Sequence, residues 1–360
     1  LTEKDRMNVA AWYAIAHQDF DMAIRSYREI IQRFPLEIEA YFRLGWLLRG
    51  EERFSEAINV LRAGMMIDPA AKELYNLLGT ILSTQGDHLG AIAAHKHYIA
   101  LGPAEPNAYD SLGLSYQWAG DYSAAMENYE LALKLDPDFE ITLIHLANLR
   151  LRMGQYAEAV KVFSRYIEVV PNDLEKARGL NGIGYVYLQK GDLTSAAELA
   201  ARSAAIKNNI FTYEYLIAWK LGQKAKAKRL ERTILEQTDL VDRGTRANQR
   251  FESYFRVMIA LNNGRNDEAI EHFRETLTHT PPTWHHEDFE DCLGRAYLHL
   301  GQYDQAIEEF QRLLRLNPNY PLAQYHMAEA YRSKGMTAEA RKHYSAFLAV
   351  WSNADTDIPE

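Results

Sequence analysis

Cysteine, excess positive charge and long apolar runs are what this 360-residue chain lacks. A single cysteine, Cys292, cannot form an internal disulfide, so no disulfide framework holds the fold and the redox compartment is left open. Lys and Arg number 40 against 49 Asp and Glu, a formal net charge of −9. A long contact with a phosphate backbone needs clustered cations, so a nucleic-acid partner is not expected. No apolar run approaches the roughly 18 residues that span a bilayer, and no basic–apolar–small leader opens the chain. The first residue is Leu1 rather than Met, as expected of a piece of a longer protein. Phosphate loops, His-Glu-x-x-His and Gly-x-Ser-x-Gly are also missing, so neither catalysis nor a bound cofactor is expected. The balance of 47% hydrophobic and 25% charged residues is that of a folded protein, and the length alone would suggest two or three ordinary domains.

An internal period replaces that estimate. Prolines stand at Pro35, Pro69, Pro103, Pro137 and Pro171, and alanines at Ala23, Ala57, Ala91, Ala125 and Ala159, each series in steps of 34. Small residues at Ala11, Gly45, Gly79, Gly113 and Ala147 keep the same step. The alanine phase continues at Ala196, Ala227, Ala269, Ala306 and Ala340, now with steps of 37, 31, 42, 37 and 34. Ten repeats therefore fill the chain. Each predicts two helices: in 106–139, Tyr109, Leu112, Gly113 and Tyr116 mark one apolar face, Gly120-Asp121 breaks the chain, and Ala125, Tyr129 and Ala132 mark the second helix before Asp136-Pro137. Small residues at Gly113 and Ala125 suit a close crossing of the pair, where bulk would push the helices apart. The seventh repeat is the poorest, with Tyr215 where the small residue belongs, and the eighth has Val257 there.

This pattern resembles the tetratricopeptide repeat (TPR) family, most clearly at Tyr75, Leu78, Gly79, Ala91 and Pro103 and at Leu293, Gly294, Tyr297, Ala306, Phe310 and Pro318. The resemblance implies an all-α solenoid of about ten helix-turn-helix repeats, a right-handed superhelix with the first helix of each pair on the concave side. Three stretches are expected: regular repeats 1–6 over residues 1–207, irregular repeats 7–8 over 208–286, and repeats 9–10 with a cap over 287–360. The apolar-poor segment 240–250 is a candidate hinge. The opening Leu1-Thr2-Glu3-Lys4-Asp5-Arg6 and the last stretch from Ala340 to Glu360 are further similar to the TPR regions that follow the kinase domain in some bacterial serine/threonine kinases, and to related signalling regulators. That likeness implies a sensing or regulatory part of a larger protein. It leaves the cell compartment open.

Stacked repeats display an extended surface, and binding is its default use. Phase places Asn8, Trp12, Trp46, Arg49, Asn76, Asn148, Asn181, Tyr185, Trp219, Tyr254, Arg295 and Tyr325 on the concave side. Asparagine can pair with the main chain of an extended peptide, and aromatic residues and arginine are common anchors, so a protein or peptide ligand is the expected partner. Asn occurs at these phases without the accompanying Lys of a terminal-carboxylate clamp. Two rivals are a small-molecule pocket near Trp219 and Tyr254, and a hydrolytic metal site at His285 and His286, the latter disfavoured because adjacent residues seldom converge on one ion. Residues 220–250 hold nine Lys or Arg against four Asp or Glu, with Lys224, Lys228 and Arg232 on one helical stripe opposite Ala227, Leu230 and Ile234. That stripe reads as a solvated face, or as a docking patch for an acidic partner or anionic lipid. Met7 and Ala10 at one end, with Tyr344, Phe347 and Trp351 at the other, would allow end-to-end self-association.

Overall fold

The structure is a computed structural model. It describes residues 2–206, 212–240, 246–278 and 287–356; within these, the side chains at 212, 213, 237–240, 246–252, 254, 277, 278 and 287–292 are not described. Twenty helices and no strand occur among the described residues. The chain forms two compact units, 1–118 and 119–360. The first contains α1 (Glu3–Ala16), α2 (Phe20–Arg33), α3 (Ile38–Gly50), α4 (Phe54–Ile67), α5 (Lys72–Thr84), α6 (His88–Leu101) and α7 (Pro106–Trp118). The second opens with α8 (Tyr122–Leu135), α9 (Glu140–Arg152), α10 (Tyr156–Val169), α11 (Asp173–Gln189) and α12 (Leu193–Ile206). It continues with α13 (Thr212–Lys220), α14 (Lys224–Leu240), α15 (Arg246–Asn262) and α16 (Asn266–Thr278), then α17 (Glu287–His299), α18 (Tyr303–Leu316), α19 (Pro321–Ser333) and α20 (Thr337–Val350). The boundary between units falls inside the regular stretch. The segment expected to be a hinge lies largely outside the described residues.

The turn between paired helices is built the same way throughout. A residue in the left-handed region follows the first helix: glycine at Gly86, Gly120, Gly154, Gly191, Gly222, Gly264, Gly301 and Gly335. The amide after it reaches back five residues, as in Asp87 N–H to the Leu82 carbonyl at 3.0 Å and Gln302 N–H to the Tyr297 carbonyl at 2.9 Å. Carbonyls that the helix end would leave unpaired are thus satisfied. In several turns the next residue is aspartate, whose carboxylate accepts from the second helix's first turn: Asp19 from Met22 N–H and Asp87 from Gly90 N–H, both at 2.9 Å. One Gly-Asp pair therefore stops one helix and starts the next. Repeats 1 and 2 depart from this, with Gln18 at φ 60° and Glu52 at φ 58°. A side chain there costs roughly 1 kcal/mol relative to glycine. Glu52→Gly is expected to stabilise the first unit by about 0.5–1 kcal/mol, read as a shift in chemical-denaturation midpoint; an unchanged or lowered midpoint would contradict this.

Packing explains the period. The marker alanines Ala23, Ala57, Ala91, Ala125, Ala159, Ala196 and Ala306 are fully buried. The small residue on the first helix, however, faces not the alanine but the bulky side chain one turn beyond it. A Cβ on Gly45 would lie 2.7 Å from Leu61, one on Gly79 2.4 Å from His95, and one on Gly294 2.4 Å from Phe310. This refines the sequence reading, which paired small with small. Repeat 7 inverts the arrangement: Tyr215 is fully buried and meets Phe255 edge-on at 5.6 Å, while the position one turn past Ala227 carries Glu231 rather than a bulky apolar group. The volume has moved from the second helix to the first, so the repeat is permuted rather than degenerate.

The second unit closes on itself. Elements about 198 residues apart meet along the turns of α8 and α9–α10. Asn319 donates Nδ2–H to the Gly120 carbonyl at 2.8 Å, and the Tyr122 hydroxyl donates to the Asn319 carbonyl at 3.3 Å. Trp351 donates Nε1–H to the Arg152 carbonyl at 2.9 Å, sits edge-on to Tyr156 at 6.3 Å, and lies tilted against Phe347 at 4.6 Å. Asp355 donates its amide to the Gly154 carbonyl at 3.0 Å, and its carboxylate accepts from Ala157 N–H at 2.9 Å. Gln155, which precedes α10, offers no side-chain cap, so Asp355 supplies one from the far end of the chain. Gly120 and Gly154 are buried in this seam, whereas a Cβ on Gly222, Gly264 or Gly335 would meet nothing within 4 Å. The aromatics expected to lie bare at the C-terminal end are thus covered by the chain itself.

Candidate functional site

In the first unit, Trp12 on α1 and Trp46 on α3 occupy the same phase and are 57% and 46% exposed. Asn8, Arg49 and Asn76 are half-buried beside them in sequence phase. Arg49 stands in the last turn of α3 with no ion-pair or hydrogen-bond partner among the described residues. Burial holds its pKa below the ordinary arginine value, a sign that the cation lacks both water and a counter-charge. Asn76 is similarly unspent. Its side-chain oxygen is buried and accepts nothing, while its main-chain carbonyl accepts from Thr80 Oγ1 at 3.0 Å and from His95 Nε2 at 3.2 Å.

His95 fixes the floor beneath Asn76. A carbonyl can only accept, so His95 carries its proton on Nε2, and Nδ1 accepts from the Ser115 hydroxyl at 2.7 Å. Ser83 then lies 3.0 Å from Ser115 in a position to donate to it. All three side chains are buried, and desolvation lowers the His95 pKa to about 4, with the Asn76 carbonyl and Asp110 opposing. Buried this deeply, the group is structural. His97, two residues on, stacks on Tyr75 at 4.5 Å, so the two histidines serve separate packing roles.

In the second unit, Asn148 on α9 is half-buried and Asn181 on α11 is 6% exposed. Asn181 Nδ2 has no acceptor among the described residues, an orphan donor that costs stability unless a ligand or water accepts from it. Tyr185 packs against the cluster of Leu188, Ala196, Ala200 and Ile217. Tyr325 lies against α20, 5.4 Å from Phe347 and 6.1 Å from Tyr344. Arg295 is half-buried near His299 and His326, whose pKa values are lowered by burial and by that cation, His326 to about 3. Trp219 is 40% exposed at the end of α13. The Tyr254 side chain, Asp291, Cys292, His279, His285 and His286 lie outside the described side chains. Among the described residues no group of three His, Cys, Asp or Glu could hold a metal ion, and no helix is long and apolar enough to cross a membrane.

Trp12, Trp46, Arg49 and Asn76 thus stand on first helices of one unit, and Asn148 and Asn181 on first helices of the other. Sequence reasoning missed the seam residues Asn319, Trp351 and Asp355. Beside them lies a cleft of about 800 Å³ bounded by Met126, Glu130, Arg150, Met153 and Val350.

Comparison with known proteins agrees with this architecture. Models described as TPR repeat or tetratricopeptide repeat match residues 8–64, 119–182, 294–335 and 322–354. A curated relative, the tetratricopeptide repeat and J domain-containing co-chaperone DNJ1 of Cryptococcus neoformans var. grubii serotype A, is 29% identical over 62 residues, 17% of this chain. The chain matches only 12% of that protein's length. A tetratricopeptide repeat protein from Parabacteroides merdae is similar in structure, with TM-score 0.53 and 14% identity over 81% of this chain and 98% of that one. So is the APC/C hetero-tetramer Cut9–Hcn1, with TM-score 0.50 and 17% identity over 99% of this chain and 62% of that one. At these identities the likeness concerns the fold alone. With ten phased repeats, buried marker alanines, a recurrent Gly-Asp turn and four matching stretches, the chain belongs to the tetratricopeptide repeat family.

Proposed function

We propose that this protein is a binding scaffold whose first-helix faces hold an extended segment of a partner protein, as the sensing or regulatory part of a larger signalling protein. The observation that carries the binding role is unspent polar capacity on those faces. Among the described residues, Asn76 has a buried acceptor and Asn181 a buried donor with no partner, and Arg49 is a desolvated cation without a counter-charge. An extended main chain offers both a donor and an acceptor at every residue, and satisfying a buried orphan recovers about 1–3 kcal/mol. Exposed Trp12 and Trp46 supply apolar anchors next to that polar set in phase. The regulatory assignment rests on the sequence likeness at the two ends and on the lack of a catalytic motif.

Partner recovery by the intact protein and by the double variant Asn148→Ala plus Asn181→Ala tests the groove. Loss of most of the recovered partner with the variant is the expected result; equal recovery would end the assignment for the second unit. Trp46→Ala with Arg49→Ala asks the same question of the first unit, where a loss of at least roughly tenfold in affinity is expected from two anchor residues.

A further inference from the structure

The turn from α13 to α14 is open, as are those at Gly264 and Gly335, but it carries apolar and cationic side chains together. Residues 219–225, Trp-Lys-Leu-Gly-Gln-Lys-Ala, are exposed without interruption, with Trp219 at 40% and Leu221 at 37%. At the corresponding place in repeats 4 and 5 the turn is buried in the seam. Beyond it α14 presents Lys228, Arg229 and Arg232 to solvent, while Ala227, Leu230 and Ile234 pack inward against Tyr215 and Phe255. Lys220, Lys224, Lys228 and Arg229 have no ion-pair partner among the described residues; Arg232 reaches Glu236 only at 3.7 Å, and Lys226 pairs with Glu214 at 3.0 Å. In a chain of net charge −9, this mostly unpaired cationic face among the described residues is a local reversal of the overall field.

We propose that this face docks the protein on an anionic lipid surface. Charge complementarity is the first ground. Shape is the second: the patch is an exposed turn and the outer side of a helix. A Cβ on Gly222 would meet nothing within 4 Å, so the turn can lie on a plane. The third is composition, since an indole and a leucine flanked by lysines can enter the headgroup layer while the lysines stay among the phosphates. The assignment concerns peripheral contact only. It goes beyond the groove reading and depends on none of its residues.

Co-sedimentation of the full chain with vesicles tests it, using phosphatidylcholine alone or with phosphatidylglycerol added, at low and at high salt. Binding to the anionic vesicles that weakens with salt is expected. Lys224→Gln with Lys228→Gln should lower partitioning by roughly thirtyfold, about a factor of five per cation. Lys224→Arg with Lys228→Arg should keep it. Leu221→Ser should lower it a few-fold, because it removes apolar contact and leaves the charge intact. Equal partitioning into neutral and anionic vesicles overturns the proposal, as does indifference to the Gln substitutions. Retention on an immobilised polyglutamate peptide without vesicle binding overturns it in favour of an acidic protein partner.

Discussion

Trp351→Ala is expected to open the seam of the second unit, stripping hydrogen-exchange protection from the Ala157 amide while leaving amides in the middle of α11 protected. The indole joins three things: the Arg152 carbonyl, the ring of Tyr156, and Phe347 on its own helix. Truncating a large aromatic in a fully packed site costs about 3–5 kcal/mol, and this half-buried one should cost roughly 2–3. Most of that would fall on local opening rather than on the repeats themselves, because each repeat keeps its neighbours in the array. Asp355→Ala removes only the cap on α10 and should cost about 1 kcal/mol. A third comparison isolates the close approach. Gly154 and Gly335 share a left-handed backbone, at φ 70° and 76°, so alanine strains both by about 1 kcal/mol. Only at Gly154 would the new methyl also meet Ala354, at 2.8 Å. Gly154→Ala should therefore be the worse of the two by about 1–3 kcal/mol. Wild-type protection of Ala157 in Trp351→Ala would show that the seam does not depend on the indole.

Acid should unsettle the first unit before its carboxylates titrate fully, and His95 is the reason. Its folded pKa of about 4 lies below the unfolded value of 6.5, because burial penalises the imidazolium more than the Asn76 carbonyl and Asp110 favour it. The unfolded chain therefore binds the proton more readily. The contribution of the neutral ring is complete above about pH 6.5 and is lost as pH falls toward 4, by about 3 kcal/mol. Protonating Nδ1 also turns an acceptor into a donor aimed at the Ser115 hydroxyl, whose own proton must then find another acceptor. Repeats 2, 5 and 9 carry Leu61, Phe163 and Phe310 at the same phase, so an apolar side chain fits the frame. His95→Leu should flatten the denaturation midpoint of the first unit between pH 6.5 and 4. At neutral pH it should cost about 1–2 kcal/mol, because Ser115 loses its partner. A slope in the variant as steep as in the wild type would place the acid response elsewhere.

Much of this was legible in the sequence, for a physical reason. In a stacked array each repeat solves the same packing problem against its neighbour, so Ala23 and Ala306 answer to the same constraint and the period announces the fold. The exchange between Tyr215 and Glu231 was visible only as a broken phase, since the volume rule links two helices and the sequence displays each alone. His95 carried metal-capable chemistry on paper; its burial beneath Asn76 made it structural. Phase nominated Trp12, Trp46, Asn76 and Asn181 for the candidate groove. Which of those side chains spend their polarity inside the fold was not, because that depends on hydrogen-bond partners rather than on spacing. Tyr325 illustrates the gap: its phase matches the concave set, yet its ring rests on α20. The seam left no periodic trace at all, because it joins residues 195 to 201 positions apart rather than neighbouring repeats.

The seam also changes the statistics of melting. An open solenoid behaves as a linear Ising chain with two free ends, and unfolding enters at whichever end is weakest. In the second unit successive helices from α8 to α20 pack in order, and α20 returns to the turn before α10. Such a chain has a periodic boundary. No terminal repeat frays at single-interface cost, and the first break must sever two interfaces at once. The permuted seventh repeat, the weak link of an open array, is then shielded by closure. Cutting the seam would restore free ends and turn one sharp transition into a graded one.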